Sequence, residues 1–178
     1  TDIERRLKAA GATFDVVDDD ALIELCAASL VEGKALGWHQ GRMEFGPRAL
    51  GGRSILGDPR SPGMQKLLNL KVKFRESFRP FAPSVLREDV AEWFDLGSDS
   101  PYMSLVADVL ERHRIPVAGE QQALFGIDRL NVPRSSIPAV THVDGSARIQ
   151  TVHRETHPRY HALISRFKAL TGCPVVVN

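Results

Sequence analysis

Cysteine is nearly missing from this chain: Cys26 and Cys173 are the only two among 178 residues. Neither has metal or redox spacing, and both sit among apolar neighbours. They read as buried free thiols of a reducing compartment, with a single disulfide between them as the alternative. No apolar run approaches the roughly 20 residues that cross a membrane, and the N-terminus lacks a signal-peptide pattern. The expected location is therefore the cytoplasm, with no membrane partner. Several catalytic signatures are also missing. There is no GxxxxGK(S/T) phosphate loop, no GxGxxG after a strand, no HExxH or paired-cysteine metal motif, and no serine-nucleophile elbow. His113, His153, His157 and His161 are scattered, as surface or helix-end histidines are.

What remains is a chain of ordinary globular composition, 43% hydrophobic and 25% charged, long enough to build a core without disulfides or metals. One domain over residues 1–178 is expected, cut at both ends. Thr1 stands where a methionine would start a chain, and the strand-like run Pro174–Asn178 stops abruptly. The net charge is only +1, but it is unevenly spread. Residues 41–79 hold nine basic and three acidic side chains, leaving fourteen basic against nineteen acidic elsewhere. A local excess in a neutral protein indicates a focused anion site and argues against a nucleic-acid partner.

The stretch Gly41–Arg60, GRMEFGPRALGGRSILGDPR, carries that excess with four arginines, five glycines and two prolines. Glycine and proline shape a loop, and arginine presents planar forks that match phosphate or carboxylate oxygens in pairs. Arg48, after Pro47 and before a short glycine-ended turn, is assigned to ligand binding over a clamp to Glu44. Arg42 and Arg53 are balanced between ligand and scaffold, and Arg60, beside Asp58, reads as scaffold. A second cluster, KVKFRESFRPFAP, interleaves Phe74, Phe78 and Phe81 with charge. An extended backbone there would put Lys71, Lys73 and Arg75 on one side. Lys73 and Arg79 are read as functional, and Lys71 and Arg75 as solvated charge.

Periodicity and punctuation predict helices over 2–10, 21–32, 61–70, 88–94 and 159–170. Strands are predicted over 13–17, 34–39, 54–56, 82–86, 102–109 and 174–178. An Asp144-Gly145 hairpin is expected to join 141–143 to 147–152. Residues 112–138, the least regular stretch, read as a surface insertion. The mixture is an α/β domain with a mixed sheet.

GRMEFGPRALGGRSILGDPR, then KVKFRESFRPFAPSVL, then THVDGSARIQTV, taken in that order, resemble the C-terminal domain of the O-carbamoyltransferases of nodulation factors and antibiotics. The resemblance runs from about Gly33 to Asn178. It implies a YrdC-like α/β fold, a twisted mixed sheet with flanking helices around a basic concave face. It also implies use of ATP and carbamoyl phosphate to form carbamoyl adenylate, with Mg2+ accompanying the ATP. The acceptor hydroxyl would meet a separate N-terminal actin-like ATPase domain, which holds the family's Fe2+ and is absent here. Carried over position by position, the implied catalytic and ligand-binding residues are Arg48, Lys73, Arg79 and Arg148, with Asn178 as a further ligand residue. The family's closing motif, Asn-Thr-Ser-Phe-Asn, is represented here by its first residue. Two other readings stand beside this one: a non-catalytic nucleotide- or RNA-binding module, and an enzyme similar to the threonylcarbamoyl-adenylate synthases. His142 and Gln150, flanking the expected hairpin, are supporting residues.

Overall fold

Strand β5, Ser146–Val152, is the longest in the protein, and every side chain on it except Arg148 is buried. A strand buried on both faces needs a hydrogen-bonded neighbour on each edge. In the computed structural model, which describes residues 1–117 and 119–178 (without the side chains of 120, 122 and 127), it has both. Strand β4, Leu105–Asp108, pairs with it antiparallel, and β3, Pro83–Leu86, pairs with it parallel. Strand β6, Val175–Val177, adds antiparallel to β3 and completes a mixed sheet in the order β4-β5-β3-β6. A separate antiparallel pair, β1 (Leu36–His39) and β2 (Arg53–Leu56), brackets the arginine loop. It joins the main sheet through a two-bond bridge between Gly57 and Val177. The protein is thus α/β with a mixed sheet.

Side chains alternate across a strand, so the register sorts this sheet into two faces. One face carries Arg148 and Gln150 on β5 and Ser84, the register partner of Gln150, on β3. Asn178 joins them, because its backbone exchanges hydrogen bonds with Ala82 at 2.9 and 3.3 Å. The opposite row holds Ala147, Ile149, Val85, Val175 and Val177, all fully buried. The core continues into α2, Asp19–Val31, which packs against α6, Pro158–Thr171. Asp18 caps α2 by accepting the Ala21 N–H at 2.8 Å, and acidic residues fill its first turn. Helix α6 begins with Pro158 and ends on Gly172 in the left-handed conformation, and contributes Tyr160, Leu163, Ile164 and Phe167 to the core. Helix α1, Asp2–Ala9, carries a Thr1–Glu4 capping box but buries no side chain.

Several expected elements differ. Residues 13–17 form no strand, because the apolar residues there find no neighbouring edge and Val16 stays 75% exposed. The expected helix over 61–70 starts later, as α3 (Met64–Leu67), and widens into a π-helical turn over Leu68–Val72. Residues 88–94 divide into a 3-10 turn, Arg87–Asp89, and the short α4, Val90–Trp93. The strand expected over 102–109 is shortened to β4, since Met103 takes φ +54°. Asp144-Gly145 does turn the chain, yet no hairpin follows. Asp144 accepts from the Ser146 N–H and hydroxyl at 2.9 and 2.7 Å, which makes a side-chain-closed turn. The buried β5 then pairs with β4 and β3 instead of residues 141–143, because those longer edges satisfy more of its backbone. Within 112–138, Ala118 lies outside the described residues, a short helix α5 spans Gly126–Leu130, and Ser135 and Ile137 are buried.

Gly51 is fixed by two independent demands. Its φ is +107°, and a Cβ there would lie 2.5 Å from Cδ1 of the buried Tyr160. Gly51→Ala is expected to lose about 3 kcal/mol or more, combining backbone strain with overpacking against an immobile ring. Equilibrium denaturant unfolding measures this, and a loss below about 1 kcal/mol would contradict the packing described.

Candidate functional site

The polar face of the sheet is roofed by the arginine loop, and a buried network of neutral groups fastens the two together. Ser84 Oγ donates to Gln150 Oε1 at 2.7 Å, and Asn178 Nδ2 reaches the same Oε1 at 2.9 Å and Ser84 Oγ at 3.1 Å. From this network, Gln150 Nε2 donates to the Leu50 carbonyl at 2.7 Å, and Asn178 Nδ2 to that of Ala49 at 3.2 Å. On its other side the loop closes on Glu44. One carboxylate oxygen accepts from the Leu50 and Gly52 N–H groups at 2.6 and 2.7 Å, and the other lies 3.3 Å from Arg53 Nε. Arg53 also donates to the Gly46 carbonyl. Burial would raise the Glu44 carboxyl, but hydrogen bonds from the backbone N–H groups of Glu44, Gly52 and Leu50, with the Arg53 charge, hold it below the usual carboxylate range.

Glu44 is therefore occupied by Arg53 and by backbone, and among the described residues Arg48 has no carboxylate clamp. Arg48 lines a cavity of about 220 Å³ together with Arg53, Lys73, Arg75, Arg148 and Asn178. No acidic side chain lines it. The Nε atoms of both Arg48 and Arg148 are buried without a hydrogen-bond partner. Burial, then the charge of Arg48, lowers the affinity of Arg148 for its proton. Lys73 is solvent-accessible at the rim, with its ammonium 5.8 Å from the centre of the Phe81 ring. Partial burial, then the Arg75 charge, brings it below the ordinary lysine value of 10.5. Arg75 stacks 5.0 Å from the same ring. An unneutralised, partly desolvated group of cations is unfavourable by itself and favourable around an anion.

Arg48, Lys73, Arg148 and Asn178 are thus brought together as expected. Arg79 is placed elsewhere: its Nε donates to Glu76 at 2.7 Å, its side chain is 54% exposed, and it does not line the cavity. Arg75, ranked in the sequence with the solvated charges, takes a place on the wall. The strand alternation expected for residues 71–75 does not form. The π-helical turn runs to Val72, and Phe74 takes φ +48°, so facing depends on turn geometry that a two-residue period does not describe. Of the three phenylalanines interleaved with these charges, the buried Phe81 is the one on which Lys73 and Arg75 lie, while Phe74 and Phe78 are exposed. Met103, with its φ of +54°, also lines the cavity, a strained backbone at a candidate site. Arg60 is scaffold, as expected: it forms a forked pair with the buried Asp58, with Nη2 to Oδ2 at 2.7 Å, and lies over Phe167. His142 supports the turn before Arg148 through a 3.0 Å contact of Nδ1 with Ser146 Oγ.

Residues 27–178 match the family described as carbamoyltransferase C-terminus. The chain belongs to this family. It is 59% identical, over 99% of its length, to an uncharacterized protein of Synechocystis, of which it covers 29%. It is 41% identical to the nodulation protein NolO of Bradyrhizobium diazoefficiens, covering 98% of this chain and 29% of that protein. It is 37% identical to the 3'-hydroxymethylcephem-O-carbamoyltransferase of Amycolatopsis lactamdurans, covering 85% of this chain and 25% of that one. The chain therefore spans less than a third of the length of these relatives. Among the described residues, no helix is long and apolar enough to cross a membrane, and no group of three or more His, Cys, Asp and Glu side chains could hold a metal ion.

Two measurements test the site. Arg148→Met is expected to leave the thermal unfolding midpoint unchanged or slightly higher, since it relieves repulsion with Arg48. The unaltered chain is expected to gain stability in millimolar pyrophosphate, and Arg148→Met to gain none. A large drop in the midpoint would make Arg148 a structural residue. Glu44→Gln is expected to destabilise the chain by about 1–3 kcal/mol at neutral pH, because a charge-assisted acceptor of two N–H groups is lost. The native carboxyl lies below its ordinary value of 4.5, so its contribution is complete above that value and disappears as pH falls through the native one. The stability gap between the two proteins should therefore close under acid, and a gap independent of pH would contradict the assignment.

Proposed function

We propose that this domain forms carbamoyl adenylate from ATP and carbamoyl phosphate, as the activating half of an O-carbamoyltransferase with a YrdC-like fold. The observation that carries the reading is the cavity itself. Arg48, Lys73, Arg75 and Arg148 face one space without a carboxylate among the lining residues, in a chain of the carbamoyltransferase C-terminal family. Two phosphate-bearing substrates would bring several negative charges into that space, which the fixed cations offset. At about 220 Å³ the cavity is smaller than the roughly 300–1,000 Å³ usual for whole ligands, so it suits the phosphates, with the base lying outside.

The chemistry balances without a side-chain nucleophile. Water releases phosphate from carbamoyl phosphate and leaves carbamate. A carbamate oxygen then attacks the α-phosphorus of ATP, a new P–O bond forms, and the bond to the bridging oxygen breaks to release pyrophosphate. Arg48 and Arg148 would hold phosphate oxygens between them. Lys73, near the Phe81 ring, would carry charge that gathers on the leaving pyrophosphate. Magnesium finds no carboxylate on the cavity wall. It would be held by the phosphates and water, and no step is assigned to it.

The carbamoyl group would pass to an acceptor hydroxyl in another, N-terminal domain of a longer protein, and its proposed location is the cytoplasm. In such a longer protein, pyrophosphate release should require ATP and carbamoyl phosphate together. Arg48→Ala or Lys73→Ala should lower it by about 100-fold. Release that ignores carbamoyl phosphate would overturn the adenylation reading. The affinity of the chain for pyrophosphate should also weaken as pH rises through the lowered value of Lys73, since the ammonium is then lost, and a flat profile up to pH 10.5 would remove Lys73 from the site.

A further inference from the structure

Asn69 is fully buried at the start of the π-helical turn, and its carboxamide has a partner at every polar atom. Nδ2 donates to the carbonyls of Ser77 and Arg79 at 3.1 and 2.8 Å, and Oδ1 accepts Arg75 Nε at 2.6 Å. The reverse amide orientation would set donor against donor at Arg75 and oxygen against oxygen at both carbonyls, so only one orientation fits. The backbone repeats the connection, with the Arg75 N–H on the Asn69 carbonyl at 3.0 Å and the Lys73 N–H on that of Leu68 at 2.9 Å. One carboxamide therefore grips both limbs of the loop that carries Lys73 and Arg75.

The grip also sets how Arg75 faces the cavity. Its Nε is taken by Asn69, and its guanidinium lies over the buried Phe81 ring at 5.0 Å, so the plane is fixed from two directions. Among the described residues, neither terminal nitrogen of Arg75 has a hydrogen-bond partner, and the residue lines the cavity. A guanidinium held by its Nε and presenting its two terminal nitrogens has the geometry for an oxyanion.

We propose that Arg75 is a further phosphate-contacting residue of the cationic cavity and that Asn69 is its positioning residue, acting through Arg75 Nε. This rests on the reading of the cavity as a phosphate site. Lys73 alone, a point charge on a flexible stem, would hold an oxyanion without orienting it, whereas the Asn69–Arg75–Phe81 stack gives one wall a defined direction.

The test uses inorganic pyrophosphate and the 178-residue chain, with binding followed by calorimetry and folding by circular dichroism. Arg75→Gln should weaken binding about tenfold or more, and Asn69→Ser by a similar factor. A purely structural Asn69 would add its loss to that of Arg75→Gln. A residue acting through Arg75 would not, so in the double variant Asn69→Ser should add less than about twofold. Arg75→Lys is the second probe should Asn69→Ser fail to fold. It keeps the charge but cannot be held at Nε by Asn69 or present two terminal nitrogens, so it should weaken binding as Arg75→Gln does, and binding at the unaltered level overturns the proposal. Unchanged binding by Arg75→Gln overturns the proposal, and additive losses overturn the positioning role of Asn69. If the unaltered chain binds no pyrophosphate, the cavity reading falls and this proposal with it.

Discussion

The site depends on three neutral side chains, Ser84, Gln150 and Asn178, hydrogen-bonded to one another beneath the arginine loop. They come from three adjacent strands or their ends, and they hold the Ala49 and Leu50 carbonyls. Neutral amides suit this place. A carboxylate here would neutralise Arg48 and Arg148, and an apolar group would leave two loop carbonyls without donors. On this side the fold holds the loop through its Ala49 and Leu50 carbonyls, without using the charge of Arg48.

The same division of labour extends outward. Acidic residues are present, but each of these is already paired: Glu44 with Arg53 and two N–H groups, Asp58 with Arg60, Glu76 with Arg79. The arginines so paired brace the loops, while Arg48, Lys73, Arg75 and Arg148 are left facing one space. Among the described residues, the buried Nε atoms of the half-buried Arg48 and Arg148 have no hydrogen-bond partner, which is unfavourable for the cations by themselves.

Much of this was legible in the sequence. Proline and glycine punctuation around Arg48 marked a shaped loop, short apolar and β-branched runs marked the sheet strands, and Pro158 and Gly172 marked the ends of α6. Arg48, Lys73 and Arg148 were nameable as one site because three long motifs resemble a family in order, and the family match bears out that resemblance. Where expectation departed from structure, a local rule met a non-local one. Asp144-Gly145 turns as its chemistry requires, but β5 takes its partners from distant strands. Arg75 lies on the cavity wall and Arg79 pairs with Glu76 because a π-helical turn and a left-handed Phe74 set their directions, and neither has a simple residue period.

The sequence by itself determined which chemistry was available: a surplus of cations in one segment, a loop stiffened by proline and opened by glycine, and side chains fit to grip oxyanions. These are properties of residue types and short spacings. Only the tertiary structure decided which cations remain unpaired, because pairing depends on distance. Glu44 lies four residues from Arg48 in the chain, yet it pairs with Arg53, and Arg148, a hundred residues from Arg48, becomes its neighbour across the cavity. Chain separation does not govern Coulomb interaction or desolvation; spatial distance and burial do, and the fold sets both.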